Sequence, residues 1–203
     1  MLFLSVLLAC SSEVDNQPAA EVTTPVAAPA PAPAPAPEAA APAGDGLAVK
    51  VDASSIGFVG AKVTGDHEGG FKGFEGSLSV ADGKPTATSF TIDMNTTWAD
   101  AGKLEGHLKS GDFFDVENHP QASFTSSSIT AGEGGYTVVG TLNFVGKEAE
   151  ITFPAAIEVG EGSAKATAEF TIDRTLWGVT YPGKPDNLIK DEVLIKLDLS
   201  FGA

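Results

Sequence analysis

Cysteine is nearly absent from this 203-residue sequence, in which Cys10 is the only one. Disulfide bonds within the chain are therefore excluded, and so is a metal site built from cysteine ligands. Histidine is also rare: His67, His107 and His119 form no His-x-His or Glu-x-x-His pair. The sequence contains no Gly-x-Ser-x-Gly, P-loop or dinucleotide-binding motif. We therefore expect no metal, no cofactor and no catalytic site.

Basic residues are few, and none precedes Lys50. The chain carries 12 lysines and arginines against 27 acidic residues, so its formal net charge is −15 at pH 7. A surface this negative repels phosphate backbones, which argues against nucleic acid as a partner. It also argues against a basic patch that would adhere to anionic lipid headgroups. The simplest interpretation is that the charge keeps the protein soluble.

Hydrophobic runs long enough to cross a membrane are also missing near the start of the chain. Residues 2–9 are apolar, but a membrane-spanning helix needs about 20 residues. The run matches the apolar region of a secretion signal. Leu7-Leu8-Ala9-Cys10 resembles the bacterial lipobox, in which the cysteine thiol receives a lipid before cleavage. We expect residues 1–9 to be a lipoprotein signal peptide and Cys10 to be the lipidation site.

Two features refine the expected location. No lysine or arginine precedes the apolar run, so we expect the natural start to lie upstream of Met1. Ser11 and Ser12 follow the cysteine, whereas an aspartate there retains enterobacterial lipoproteins in the inner membrane. We therefore expect a membrane-anchored lipoprotein of the cell envelope that faces the periplasm, with the outer membrane favoured over the inner.

Residues 10–46 are of low complexity, and prolines alternate with alanines over residues 29–37. Such a tract lacks the apolar content to fold and favours polyproline II. We expect a disordered linker that holds the following domain away from the membrane. A docking site for a polyproline-binding partner is the alternative.

From Leu47 onward, apolar residues alternate with polar ones, most clearly over residues 88–94, 149–159, 164–172 and 193–201. Strict alternation predicts antiparallel strands with one buried and one solvated face. Turn motifs rich in glycine, proline and aspartate separate these runs. We predict strands near residues 51–64, 70–80, 87–95, 121–130, 135–145, 147–159, 163–174 and 191–201, and one short helix at Gly102–Lys109.

Eight sequential antiparallel strands close most simply into an up-and-down barrel, because closure removes the exposed edges. We therefore predict one all-β domain over residues 47–203, with a β-sandwich as the alternative. Several positions on the predicted inner faces are small: Ala164, Ala166, Ala168, Gly76 and Gly140. They would leave room for a ligand among inward aromatic side chains. The alternative is a solid interior in which small and large side chains interlock.

Three motifs are more specific than the strand pattern. The first is His107-Leu108-Lys109-Ser110-Gly111-Asp112-Phe113-Phe114-Asp115-Val116, which runs into His119-Pro120 and Ala122-Ser123-Phe124. The others are Tyr136-Thr137-Val138-Val139-Gly140-Thr141-Leu142, and Phe170-Thr171-Ile172-Asp173-Arg174 with Trp177-Gly178-Val179. In order and spacing, from Val51 to Phe201, they resemble the YceI-like family of secreted bacterial lipid-binding proteins.

The resemblance implies an extended, lipocalin-like, eight-stranded antiparallel barrel whose long hydrophobic tunnel holds a polyisoprenoid or an isoprenoid quinone. Together with the inward aromatic positions, it predicts a set of lipid-binding side chains. They are Phe74, Phe90, Ile92, Phe113, Phe114, Phe124, Phe144, Phe153, Phe170 and Trp177.

More specific roles are expected for the adjacent pair Phe113 and Phe114, and for Arg174. Phe113 and Phe114 are expected at the cavity mouth, where one of them points inward if the chain is extended. Arg174 is the only arginine of the domain. It is expected either to pair with a carboxylate or carbonyls near the barrel end, or to contact a lipid headgroup.

These residues favour binding over catalysis. We expect a passive carrier or store for a long apolar lipid, tethered to a membrane through Cys10. A ligand-free envelope scaffold is the alternative, and an enzyme acting on a bound lipid is the weakest hypothesis. A homodimer is left open.

Overall fold

The computed structural model describes residues 13–23, 46–132, 134–185 and 187–202. The predictions for Cys10, for the signal peptide and for residues 24–45 lie outside these ranges. The strands are β1 Glu21–Thr23, β2 Leu47–Val49, β3 Ser55–Lys62, β4 Gly65–Phe71, β5 Phe74–Ala81, β6 Lys84–Asp93, β7 Thr97–Ala99, β8 Gln121–Gly132, β9 Gly135–Phe144, β10 Lys147–Gly160, β11 Ser163–Asp173, β12 Gly183–Lys184 and β13 Asn187–Gly202. The helix α1 spans Gly102–Lys109, and 3-10 helices span Glu13–Asn16, Val51–Ala53, Met94–Thr96 and Arg174–Trp177.

The strands close into one antiparallel barrel. β2 and β3 are two halves of its first strand, and β4 and β5 are two halves of its second. β6, β8, β9, β10 and β11 follow in chain order, each bonded to the one before. β13 pairs with β11 on one side and with β3 and β2 on the other, which completes the ring. The predicted eight-stranded barrel is confirmed, and the β-sandwich alternative is wrong.

Alternation along the strands decides which residues are inside. On β10, Ile151, Phe153 and Ala155 are buried, whereas Glu150 and Pro154 between and beside them are exposed. Two-residue turns join several neighbouring strands, and their backbones have positive φ at Asp82–Gly83 and Val145–Gly146. Turns of this kind match the right-handed twist of the strands that they connect.

The helix α1 has the predicted bounds, Gly102–Lys109. It contributes Leu108, which is 6% exposed, to a buried cluster at one end of the barrel. No helix among the described residues combines the length and the apolar character that crossing a membrane requires.

Strand bounds near the start of the barrel differ from the prediction. The strand predicted at 51–64 is shorter, because Val51–Ala53 forms a 3-10 turn. The strand β4, Gly65–Phe71, was not predicted, since its sequence Gly-Asp-His-Glu-Gly-Gly-Phe shows no apolar alternation. Its pairing with β3 over seven residues forms it instead.

The described residues 13–23 pack on the barrel, which corrects the expectation of a disordered linker for this part of 10–46. β10 and β11 are bonded directly only where Ala156–Gly160 faces 163–167. Beyond that point β1 lies against β10, with Val22 opposite Ile151. The other side of this segment bonds to β11 through Thr171. Residues 18–23 thus fill a gap in the barrel wall, which we call the seam.

The chain before the seam is held on the outer face of the barrel. Val14 is 4% exposed, and it belongs to a small cluster with Val59, Ala61 and Leu194. Two lysines of β13 bind the acidic residues beside it: Lys190 Nζ lies 2.6 Å from Asp15 Oδ1, and Lys196 Nζ lies 2.9 Å from Glu13 Oε1. The burial of Val14 and the strand pairing of β1 explain why residues 13–23 are ordered, although their polar sequence does not predict it.

An apolar cavity inside the barrel

The barrel encloses a cavity of about 230 Å³. Its wall consists of the inward faces of the long strands, because alternate residues of a strand point to the same side. Within the described part of the chain, the side chains that line it are apolar except for Thr88, Thr167 and Arg174. The Thr88 hydroxyl already donates to the Ser77 carbonyl at 2.8 Å. The wall therefore suits a ligand that is almost entirely apolar.

Eight of the ten side chains predicted to bind a lipid line this cavity. They are Phe90, Ile92, Phe113, Phe114, Phe124, Phe144, Phe153 and Phe170. They come from β6, β8, β9, β10, β11 and the loop after α1, so closure of the barrel brings them together. Of the two interpretations of the interior, the structure favours an open cavity over a solid core.

The other two side chains lie outside the lining. Trp177 has no exposed surface and packs in the buried cluster of β10 and β11. Its Nε1 donates to the Leu142 carbonyl at 3.2 Å, which ties the last 3-10 helix to β9. Phe74 is 8% exposed and packs with Leu78 and Phe90 without reaching the cavity. Both side chains therefore belong to the packed core. The apolar face of a strand includes residues that pack at the ends and corners of the barrel, as well as residues that line the cavity.

Several lining residues were missed in the sequence. Phe58 and Phe71 stand beside glycines on β3 and β4, where no alternation marks an inward face. Phe201 lies on the apolar face that is predicted for the last strand. Its position on that face is the signal from which its place in the lining could have been predicted.

Apart from Phe113, the aromatic side chains that line the cavity form three groups. Phe58, Phe71 and Phe114 contact one another with ring centroids 5.7–6.2 Å apart, and Phe144 joins them through Phe114. Phe153 stacks on Phe170 at 4.2 Å and also contacts Phe124 at 5.7 Å. Phe90 faces Phe201 at 6.0 Å. Such contacts hold the rings of the wall in defined positions.

The loop after α1 closes one end of the cavity. Phe113 and Phe114 both line it, and both are 8% exposed. Residues 111–114 form turns rather than an extended strand, so adjacent side chains need not point to opposite sides. Phe113 packs between His107 and Tyr181, with ring centroids 4.9 and 5.3 Å away. The expectation that only one of the two phenylalanines points inward is corrected.

Arg174 lies at the edge of the cavity with 5% of its surface exposed. Its Nε donates to the Lys190 carbonyl at 3.0 Å, and Nη1 donates to the Val179 carbonyl. Nη2 donates to a carboxylate oxygen of Asp191 at 3.0 Å. These bonds join the loop after Trp177 to β13. Of the two predicted roles, they correspond to the structural pairing.

Residues 47–201 match the YceI-like domain family. A UPF0312 protein of Pseudomonas putida is 29% identical over 138 residues, which cover 63% of this chain and 71% of the relative. Protein YceI of Escherichia coli is 32% identical over 96 residues, which cover 46% of this chain and 50% of the relative.

Solved structures share the fold. BcnA of Burkholderia cenocepacia superposes with a TM-score of 0.66 at 25% identity, covering 75% of this chain and 98% of BcnA. A polyisoprenoid binding domain from Saccharophagus degradans superposes with a TM-score of 0.63 at 16% identity, covering 77% of this chain and 98% of that domain. The barrel, the matched residues and the relatives agree that this chain belongs to the YceI-like domain family.

Proposed function

We propose that the protein binds one long apolar lipid of the isoprenoid type inside the barrel. The observation that carries this proposal is the cavity, whose described lining is apolar apart from three residues. A chain of isoprene units gains about 25 cal/mol for each Å² of apolar surface that leaves water. Because the aromatic walls are already packed, little ordering cost opposes binding.

The class of ligand has independent support. The Saccharophagus degradans domain with the same fold is described as polyisoprenoid binding. At 16% identity that likeness concerns the fold, so the ligand of this chain is inferred chiefly from the walls of its own cavity. Their apolar character favours a hydrocarbon chain over a polar or charged molecule.

We also propose that the protein is a carrier or store tethered through a lipid on Cys10. Glu13 is held on the barrel by Lys196, so only two residues separate the ordered segment from Cys10, a reach of about 10 Å. The Pro/Ala tract follows β1 and precedes β2 in the chain. It therefore lies in the chain between two segments of the barrel, and in this proposal residues 11 and 12 form the tether in its place.

The test is mass spectrometry of the full chain. A Cys10→Ser variant, purified from a bacterial host without detergent, is extracted with organic solvent and analysed for bound lipid. We expect an isoprenoid-type lipid at about one per protein. A chain that carries no lipid and takes up neither added polyprenol nor ubiquinone would contradict the proposal and favour the ligand-free scaffold.

Attachment to the membrane is tested separately. Wild-type chain expressed with its natural signal should fractionate with membranes and carry acyl and diacylglyceryl mass at its N-terminal cysteine. Cys10→Ser should be released in soluble form. Equal release of both forms would contradict the tether and leave the lipid-binding proposal intact.

A further inference from the structure

Three phenylalanine rings of the cavity wall lie against glycines of the neighbouring strand. Phe58 of β3 lies against Gly69 of β4, and Phe90 of β6 lies against Gly76 of β5. Phe124 of β8 lies against Gly140 of β9 as a diagonal neighbour, since Gly140 is paired with Ser126. We call these three contacts the glycine seats. One seat belongs to each of the three aromatic groups of the cavity.

Only glycine leaves space for these rings. A Cβ atom at Gly76 would lie 2.7 Å from Cε1 of Phe90 and 2.5 Å from the Ser89 carbonyl oxygen. A Cβ atom at Gly140 would lie 2.8 Å from Cε2 of Phe124 and 2.6 Å from the Thr125 carbonyl oxygen. Carbon atoms in favourable contact are about 3.5–4.0 Å apart, so a methyl group at either position displaces the ring and also crowds the backbone of the neighbouring strand. Because the ring lies over the glycine on the inner face of the sheet, we expect the displaced ring to move toward the centre of the cavity.

The seats face inward. Gly76 is directly opposite Phe90 in the pairing of β5 and β6, and Phe90 lines the cavity. Residues directly opposite one another on antiparallel strands point to the same face of the sheet. The glycines thus occupy positions where another residue would add a second side chain to the inner wall. Because glycine has no side chain, the cavity is wider there.

Width matters for the proposed ligand. An isoprenoid chain bears a methyl branch on every unit, so it is thicker than a straight acyl chain of equal length. Packed interiors that receive additional methyl groups without space for them are destabilised, because side chains and backbone must shift. A narrowed cavity should consequently reject a branched chain before it rejects a straight one.

We propose that Gly69, Gly76 and Gly140 are specificity-determining residues, which set the cavity width that a methyl-branched lipid needs. This inference rests on the proposed lipid-binding function and deepens it. The chemical class that the seats select is the branched isoprenoid chain, in preference to a straight acyl chain.

The chain offers a matched control outside the cavity lining. Gly70 alternates with inward Phe71 on β4, and a Cβ atom there would crowd the Ile56 carbonyl at 2.6 Å. Gly70→Ala therefore adds comparable backbone crowding on the outer face.

The experiment measures Kd for geranylgeraniol and for hexadecanol, a straight alcohol with the same backbone length, by competition against a fluorescent fatty-acid probe. It uses the full Cys10→Ser chain and the same chain with Gly76→Ala or Gly140→Ala. We expect each seat variant to lose roughly tenfold in preference for geranylgeraniol over hexadecanol. Gly70→Ala should keep the preference of the parent chain.

Two results would overturn the inference: an unchanged preference in both seat variants, or an equal change in Gly70→Ala. A double variant separates the ring from the backbone. Gly76→Ala combined with Phe90→Leu removes the displaced ring and keeps the contact with the Ser89 carbonyl, so it should restore the preference if the ring is the cause. A folded double variant that does not regain the preference for geranylgeraniol would also contradict the proposed role of the glycine seats. A parent chain that binds neither alcohol would contradict the proposed function itself.

Discussion

The backbone amide of Ala20 donates to the carbonyl of Thr171 at 2.8 Å, and this bond places the N-terminal segment in the barrel wall. The amide of Thr171 in turn donates to the Pro18 carbonyl at 3.0 Å. Ala20 is 9% exposed and packs in the same buried cluster as Trp177. A segment that precedes the family-matched residues 47–201 therefore completes the fold.

Removing the apolar contact that holds this segment should destabilise the protein. Val14→Ala leaves a small cavity between Val14 and β13, and we expect the free energy of unfolding to fall by about 1–2 kcal/mol. Urea denaturation followed by circular dichroism measures it. Val63→Ala, at a position 73% exposed, is the control and should change stability by less than about 0.5 kcal/mol. Equal effects of the two substitutions would show that Val14 contributes nothing specific.

The ion pair beside Val14 should be visible in a titration. The hydrogen bond with the Glu13 carboxylate, together with the charge of that residue, raises the pKa of Lys196 above 10.5 despite partial burial. The pair stabilises the folded chain at neutral pH, and the contribution is lost as the pH rises through the raised pKa. We expect Glu13→Gln to move the pKa of Lys196 back toward 10.5 in an NMR titration of the lysine. A pKa that stays raised would assign the shift to other neighbours.

Loss of the buried guanidinium should be costly. Arg174→Met leaves the Lys190 and Val179 carbonyls without their donor. The Asp191 carboxylate is 59% exposed and stays solvated, so the cost comes from the carbonyls and is about 1–3 kcal/mol for each one left buried without a donor. Thermal and urea unfolding measure the change, with Lys165→Met on the exposed side of β11 as the control. A small effect in Arg174→Met would mean that water replaces the lost donors.

Substitutions at Trp177 and at Phe153 should show that stability and ligand binding depend on different residues. Trp177 is outside the cavity lining, so Trp177→Phe should lose the bond to Leu142 at a cost of about 1 kcal/mol and keep the Kd for geranylgeraniol. Phe153 lines the cavity, so Phe153→Ala should change that Kd. Parallel unfolding and binding measurements on both variants check the split. A changed Kd in Trp177→Phe at unchanged fold would place the indole in the binding site after all.

The end of the cavity near α1 should control lipid retention. Phe114 contacts Phe58, Phe71 and Phe144 inside the cavity. We expect Phe114→Ala and Phe113→Ala to speed dissociation of bound lipid by several-fold, because each removes part of the apolar cover of this end. Transfer of lipid to acceptor vesicles gives the rate. Unchanged rates in both variants would exclude this end as the site of retention.

Most of the barrel could be predicted because its evidence is local. Ile151, Phe153 and Ala155 alternate with polar neighbours, and alternation requires only that a strand have one dry face. The helix Gly102–Lys109 was predicted with its correct bounds. By contrast, β4 and the lining residues Phe58 and Phe71 lie among glycines. No local pattern marks these residues, and only their pairing with neighbouring strands places them.

The strand pattern by itself determined that the domain is all-β and that one face of each strand, including Phe90 and Phe170, points inward, and the family resemblance favoured a barrel over a sandwich. Three-dimensional closure decided the rest. It placed Phe74 and Trp177 in the core, brought residues 18–23 into the wall, and left a cavity where the inward faces do not meet. The physical reason is that periodicity reports the side to which a residue points. Interior volume and strand partners instead depend on residues far apart in the chain.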